Sequence, residues 1–285
     1  MDTLIGGEPD DTTLFLPGFM AFENGYLLVY DYGDARLKAF DPSGAWLWSF
    51  GHFGDGPGEF RNPADVIVGP DGLLWVLDQG AGRITRVSPA GELVDIIPLG
   101  MTAWRILPTS EEVFVFPADA SDVFFQSVST SGDLGRPTEY PTQQLVGADW
   151  RLRFVEATAF RAGGWAAALR QADLFLAYRD DALQCMGMLT AGAPVTRQWA
   201  ASDNVFESLV SIGWQRAGLE VYSRALPDST TVFIDRYDAD DCAYEASAML
   251  SVPGIAVSVE PGDDSYFILS RDPLPAIYEA RRRPS

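Results

Sequence analysis

Three arginines recur in the second half of the chain, and their side chains could together bind an anion. Arg170, Arg224 and Arg271 each follow an apolar segment of β-strand character. Guanidinium groups form charge-assisted, often bidentate hydrogen bonds with carboxylates and phosphates. Three of them on one surface would make an anion site. The alternative is a solvated rim in which each arginine pairs with an acid close to it in sequence.

Acidic residues in the chain could bind a cation instead. Asp65 and Glu156 both begin apolar segments, and such a carboxylate pair could contribute to a calcium site. Ca²⁺ takes six to eight oxygen ligands, and the chain offers few asparagines to complete the set. We therefore predict no cofactor. A divalent ion such as Ca²⁺ on Asp65 and Glu156 is the alternative.

These residues belong to an internal repeat of 47 residues. Tyr30-Asp31 recurs as Leu77-Asp78, and the turn at 41–44 recurs at 88–91. Equal spacing at two independent landmarks indicates a true repeat. Six segments end in a similar four-residue pattern, in which apolar residues lead to a final polar residue or proline. They are LVYD, WVLD, FVFP, AALR, VYSR and ILSR. The chain therefore contains six copies of one unit.

Each unit reads as four short strands separated by turns, which predicts an all-β six-bladed β-propeller of four-stranded antiparallel blades. A four-stranded unit buries its faces only by packing against neighbouring units arranged radially. We predict a single domain, 1–285. Its blades are expected at roughly 12–50, 61–98, 101–141, 150–190, 204–250 and 251–285. The last copy lacks a fourth strand, so residues 2–6 are expected to complete it as its outer strand.

A propeller places equivalent strand ends on one face, around the mouth of the central channel. The strand ends predicted to share this face are Asp31, Asp78, Pro117, Arg170, Arg224 and Arg271. The inner strands are predicted to add Asp65, Trp104, Arg105 and Glu156 near the channel. This face is the predicted binding surface.

The second unit resembles the NHL repeat. That pattern has a glycine-rich loop, a proline, a D-G hairpin, a strand ending in Asp and a turn ending in Gly. The matching residues are Gly54, Gly56, Gly58, Phe60, Pro63, Asp71, Gly72, Asp78, Ile84 and Gly91. The resemblance covers residues 25–95. It implies a bacterial six-bladed propeller of the kind that is often exported or lipid-anchored, and a structural glycine loop that carries the chain between blades.

The resemblance bears on catalysis as well. Some six-bladed lactonase-type hydrolases hold a central calcium with Glu, Asn and Asp, whereas NHL-type amidating lyases bind zinc through histidines. The only histidine here is His52, so a site with several imidazoles is excluded. His52 lies in the glycine loop without a nucleophile motif beside it, and no catalytic residue is predicted.

The charge of the chain limits its partners. With 40 acidic and 20 basic residues the net charge is −20, which disfavours nucleic acids and anionic membranes. No apolar stretch is long enough to span a bilayer, and the first residues do not read as a signal peptide. We expect Cys185 and Cys242 to remain free thiols, because outer strands of neighbouring blades diverge.

The sequence thus predicts a non-catalytic binding or scaffold protein that is extracytoplasmic and monomeric in isolation. Its loop face and channel mouth would bind a protein partner or a small anionic ligand. One alternative is a lactonase-like hydrolase or lyase with a divalent ion in the channel. The other is an accessory structural subunit of a larger complex.

Overall fold

The structure is a computed structural model, and it describes most of the chain. The described residues are 2–8, 13–118, 122–141, 155–160, 164–169, 174–180, 182–188, 209–215, 218–224, 231–251, 256–259, 265–271 and 273–281. They form 24 strands, and this part of the chain contains no helix. Accordingly, the described residues include no helix with the length and hydrophobicity needed to cross a membrane.

The strands form six four-stranded antiparallel sheets, which are the blades of a six-bladed β-propeller. Blade 1 contains β2 (Pro17–Glu23), β3 (Tyr26–Asp31), β4 (Arg36–Phe40) and β5 (Trp46–Phe50). Blade 2 contains β6 (Pro63–Val68), β7 (Leu74–Asp78), β8 (Arg83–Val87) and β9 (Leu93–Pro98). Blade 3 contains β10 (Ala103–Pro108), β11 (Glu112–Pro117), β12 (Val123–Ser129) and β13 (Leu134–Glu139).

The remaining blades repeat this order. Blade 4 contains β14 (Val155–Phe160), β15 (Gly164–Leu169), β16 (Leu174–Arg179) and β17 (Ala182–Met188). Blade 5 contains β18 (Leu209–Gln215), β19 (Gly218–Arg224), β20 (Thr231–Tyr237) and β21 (Tyr244–Ser251). Blade 6 contains β22 (Ala256–Val259), β23 (Ser265–Ser270), β24 (Ala276–Arg281) and, at its edge, β1 (Asp2–Gly6). The predicted completion of the last blade by the N-terminal strand is therefore confirmed.

By compactness the chain divides into two units. The N-terminal unit comprises Thr3–Trp150 and Pro273–Ile277, and the C-terminal unit comprises Met1–Asp2, Arg151–Asp272 and Tyr278–Ser285. The N-terminal unit contains blades 1 to 3, and blades 4 and 5 lie in the C-terminal unit.

Burial follows the position of each strand within its blade. The middle strand β7 is buried along its whole length, because both of its faces pack against apolar side chains. The outer strand β9 is mostly exposed. Turn glycines let the blades pack closely. Gly91 has φ of 81°, and a Cβ there would lie 2.7 Å from the ring of Trp48.

The two cysteines form a disulfide, so the prediction of free thiols is wrong. Cys185 lies on β17 of blade 4, and its Cα is 5.8 Å from that of Cys242. Cys242 is not on an outer strand; it lies in the turn between β20 and β21 of blade 5. This turn reaches back to β17, where the Cys185 Sγ also lies 3.6 Å from the carbonyl oxygen of Ala239. The divergence of outer strands therefore does not separate the two sulfurs.

Candidate functional site

The strand-end aspartate of blade 1 binds backbone amides. Asp31 is fully buried and accepts hydrogen bonds from the amides of Phe15 and Leu16 at 2.7 Å, and from Gly33 at 2.9 Å. Burial opposes ionisation, but the hydrogen bonds from Lys38 and these amides hold the pKa of Asp31 below its usual value. Asp31 therefore fixes the segment that enters β2.

Asp78 does the same in blade 2. It is fully buried and accepts hydrogen bonds from the amides of Arg61, Asn62 and Ala81, at 3.0, 2.9 and 3.3 Å. In both blades the carboxylate binds the two residues that precede the proline of the inner strand. In blade 3 the equivalent position is Pro117, opposite Ala103. The repeated aspartates thus hold the loops at this end of the blades.

Lys38, the only lysine of the chain, binds both Asp31 and the segment that precedes β2. Its Nζ lies 2.8 Å from Asp31 and 2.9 Å from Asp34, and it donates to the carbonyl oxygen of Thr13 at 2.9 Å. The ammonium also lies 4.8 Å from the centroid of the Phe15 ring. The segment before β2 is consequently held from several sides.

Four apolar side chains are exposed in the loops at this end of blades 1 and 2. Phe15 and Leu16 precede β2, Tyr32 lies in the turn after β3, and Phe53 lies in the connection from blade 1 to blade 2. Phe53 is 73% exposed, and Phe15 is 51% exposed. The Tyr32 hydroxyl donates to the carbonyl oxygen of Pro63 at 2.7 Å, which joins the two blades here. We call these four residues the loop-face patch.

The glycine loop that precedes β6 is held by Arg83. Its guanidinium donates to the carbonyl oxygens of Asp55, Gly56 and Glu59. The amides of Gly54, Gly56 and Phe60 donate within the loop rather than outward. His52 pairs with Glu59 at 3.0 Å. This geometry matches the predicted structural role of the loop.

The inner-strand candidates occupy equivalent places in their blades. Asp65, Arg105 and Glu156 each lie opposite the penultimate residue of the second strand. In the N-terminal unit, Arg105 Nη1 lies 3.3 Å from Asp65 Oδ1, and Asp65 Oδ2 accepts the amide of Ile106 at 3.0 Å. Trp104 is half-buried beside them. Glu156 is buried in the C-terminal unit.

Glu23, at the end of the inner strand β2, is an acid that the sequence did not single out. Its Oε2 accepts the amide of Val68 on β6 at 2.8 Å. Burial raises the pKa of Glu23 to about 7, the Val68 amide lowers it, and the Asp65 carboxylate raises it. The sequence analysis followed the starts of the inner strands and the ends of the second strands, and Glu23 lies at neither place.

We predict that Glu23→Gln stabilises the protein at alkaline pH. A group whose folded-state pKa is raised contributes stability below its unfolded pKa and loses it as the pH rises through the folded value. The wild type should therefore weaken relative to the variant between about pH 4.5 and 7, by about 3 kcal/mol in total. Urea unfolding at pH 4.5, 6 and 8 measures this. A difference that is independent of pH would contradict the raised pKa.

Another buried acid of the C-terminal unit forms a hydrogen-bond network. Glu220 on β19 is fully buried, and its Oε1 accepts hydrogen bonds from Arg236 at 3.1 and 3.3 Å. Its Oε2 accepts the hydroxyls of Tyr222 at 3.1 Å and Tyr266 at 3.2 Å. Burial raises the pKa of Glu220, and Arg236 and the hydroxyls oppose this. We call these four residues the Glu220 network; it links blade 5 to β23.

The arginines of the predicted anion site are only partly described. Arg271 is exposed directly after β23, and Arg224 ends β19. Arg170, like the side chain of Arg224, lies outside the described residues. The anion site therefore stays a prediction. Among the described residues, no group of three or more His, Cys, Asp or Glu side chains is arranged to hold a metal.

The chain is similar in fold to several solved propellers. A DUF4221 family member from Bacteroides vulgatus ATCC 8482 has 9% identity and a TM-score of 0.63, covering 99% of this chain and 96% of its own. A predicted exported protein from Bacteroides fragilis NCTC 9343 has 12% identity and a TM-score of 0.61, covering 94% and 83%. Virginiamycin B lyase from Staphylococcus aureus has 10% identity and a TM-score of 0.55, covering 94% and 85%.

These similarities establish the fold alone, because the sequence identities are low. No sequence-family model and no curated protein sequence matches the chain. The NHL resemblance of the second repeat therefore stays a prediction.

Proposed function

We propose that the protein is an extracytoplasmic binding module whose loop-face patch binds a protein partner. The observation that carries this proposal is the exposure of Phe15, Leu16, Tyr32 and Phe53 at one end of blades 1 and 2. Exposed apolar side chains that lie close together commonly mark an interaction site, and the Tyr32 amide bonds to the carbonyl oxygen of Leu16. Aromatic residues are also enriched among the residues that dominate binding energy.

The framework beneath the patch supports this role. Asp31 and Lys38 bind the segment that carries Phe15 and Leu16, and Arg83 binds the loop that carries Phe53. Side chains on such held segments lose little conformational freedom on association, which favours affinity. The net charge of −20 favours a partner whose surface is neutral or basic.

The disulfide supports a location outside the cytoplasm. Disulfides such as Cys185–Cys242 form and persist in oxidising environments and are rare in the cytosol. One protein of similar fold is described as exported. Both observations favour a location outside the cytoplasm.

Replacing two patch residues should remove partner binding without unfolding the protein. In Leu16→Ser/Phe53→Ser, the side-chain changes leave the backbone bonds of Leu16 in place. We expect at least a tenfold loss of captured partner, because each exposed apolar anchor contributes on the order of 1 kcal/mol or more. The measurement is capture from an extracytoplasmic extract of the producing cell, quantified by mass spectrometry.

The matched control is Leu93→Ser/Val94→Ser, which removes two exposed apolar side chains from the outer strand β9. This control should retain the proteins that the wild type captures. If every captured protein binds the wild type and the patch variant equally, the loop-face patch is not the binding surface.

A further inference from the structure

Among the described strands, the outer strand of each blade is paired on one side only. Strand edges without a neighbour tend to pair with other chains unless they are protected. Most outer strands here are short, charged or interrupted. The strand β5 has only five residues, β9 carries Asp95 and ends at Pro98, and β13 contains Pro137. In blade 4, the disulfide ties β17 to the neighbouring turn.

The outer strand of blade 5 is built differently. At eight residues, β21 is longer than these four, and its one charged residue, Glu245, lies next to its first residue rather than in the middle of the strand as Asp95 does in β9. It contains neither proline nor glycine. Among the described strands, β21 pairs only with β20, and all of its side chains except Leu250 are exposed. Met249 is 67% exposed.

The straight part of this edge is also unusually long. Each outer strand from β5 to β21 has an irregularity in its pairing. Beyond it, β5 continues regularly only over Trp48–Phe50. In β21 the regular part runs from Ala246 to Ser251, opposite Arg236 to Thr231. A straight edge of six residues is long enough to template another strand.

We propose that β21 pairs antiparallel with β21 of a second copy of this chain, across a two-fold axis at Ala248. In this register Ala248 faces Ala248, Ser247 faces Met249, and Ala246 faces Leu250. The residue at the axis is alanine, so no large side chain meets its own copy at the centre of the ladder. Glu245 lies opposite Ser251, which keeps the two Glu245 carboxylates at opposite ends of the ladder. Like charges directly opposite each other would destabilise such a pair, and this register avoids them.

The dimer is expected to be weak, because its interface is small and the two copies carry like net charge. Standard interfaces bury roughly 800 Å² per partner, more than a single strand edge supplies. Each copy also carries a net charge of −20, so the copies repel one another at low salt. The protein is accordingly monomeric when dilute, and the dimer strengthens with protein concentration and with ionic strength, because salt screens the repulsion.

Sedimentation velocity of the full chain, across concentration and at low and high sodium chloride, tests the dimer. Ala248→Glu places two carboxylates against each other at the axis and should weaken association at least tenfold. The control Thr138→Glu adds the same charge to β13, which carries Pro137, and should leave association unchanged. A wild type that stays monomeric at every concentration and salt level overturns the proposal. So does an Ala248→Glu variant that associates like the wild type.

Cross-linking tests the register separately. With a short bismaleimide, Ala248→Cys should cross-link to a dimer, whereas Ser251→Cys should not, because its counterpart lies at the far end of the ladder. The native cysteines do not react, because they are disulfide-bonded. Equal cross-linking of both variants would mean random collision and would overturn the register.

Discussion

Loss of the Cys185–Cys242 disulfide is expected to lower the free energy of unfolding by about 4 kcal/mol. The two cysteines are 57 residues apart in sequence, and the cross-link restricts the unfolded chain over that whole loop. The chain-entropy model gives about this value for a loop of this length. The cross-link also joins blades 4 and 5, so its loss removes a constraint between two neighbouring sheets.

The measurement is urea unfolding of the wild type with and without dithiothreitol, together with Cys185→Ser/Cys242→Ser. The reduced wild type and the double variant should share one lower midpoint. Dithiothreitol should have no effect on the double variant, which serves as the control for the reductant. If the reductant leaves the wild-type midpoint unchanged, although mass spectrometry shows both thiols free, the disulfide contributes nothing to stability.

Arg236→Leu is expected to destabilise the protein by about 3 to 5 kcal/mol at pH 8. The substitution removes the guanidinium that pairs with the fully buried Glu220, and removing one partner of a buried ion pair is strongly destabilising. Burial already raises the pKa of Glu220, and loss of Arg236 raises it further. Because a raised folded-state pKa costs stability only above the unfolded value, the deficit should shrink as the pH falls toward 4.5.

Two variants test the origin of this effect. Glu220→Gln/Arg236→Leu should recover at least half of the lost stability at pH 8, since the buried charge is gone and the Tyr222 and Tyr266 hydroxyls keep an acceptor. Arg179→Leu breaks an exposed ion pair with Asp240 in the same unit and should cost less than about 1 kcal/mol. Equal deficits for Arg236→Leu at pH 5 and pH 8 would show that lost packing, rather than charge, is responsible.

For the aspartates at the strand ends, the repeat predicted the positions of Asp31 and Asp78 but not their bonding partners. The 47-residue spacing of Asp31 and Asp78 placed both at the same end of their blades, and the structure puts them there. Four of their six amide partners could not be predicted, because these amides belong to segments 15 to 17 residues earlier in the chain. Which amides reach a carboxylate depends on how the outer strand of one blade leads into the inner strand of the next.

The cysteines show where local reasoning failed. Placing Cys242 on an outer strand made a disulfide look geometrically unfavourable. The structure puts Cys242 in a turn with φ of 61°, and that turn reaches β17 of the preceding blade. A boundary shifted by a few residues was enough to reverse the conclusion, because strand ends are the least certain part of any sequence-based assignment.

The sequence by itself determined the repeat, the six blades, their four strands and the closure by the N-terminal strand. These features follow from apolar alternation and turn residues, which act over a few positions and recur at a fixed period. Only the tertiary structure decided the Cys185–Cys242 disulfide, the raised pKa of Glu23, the Glu220 network and the exposure of the loop-face patch. Each of these depends on distances between residues far apart in the chain, and packing between sheets sets those distances.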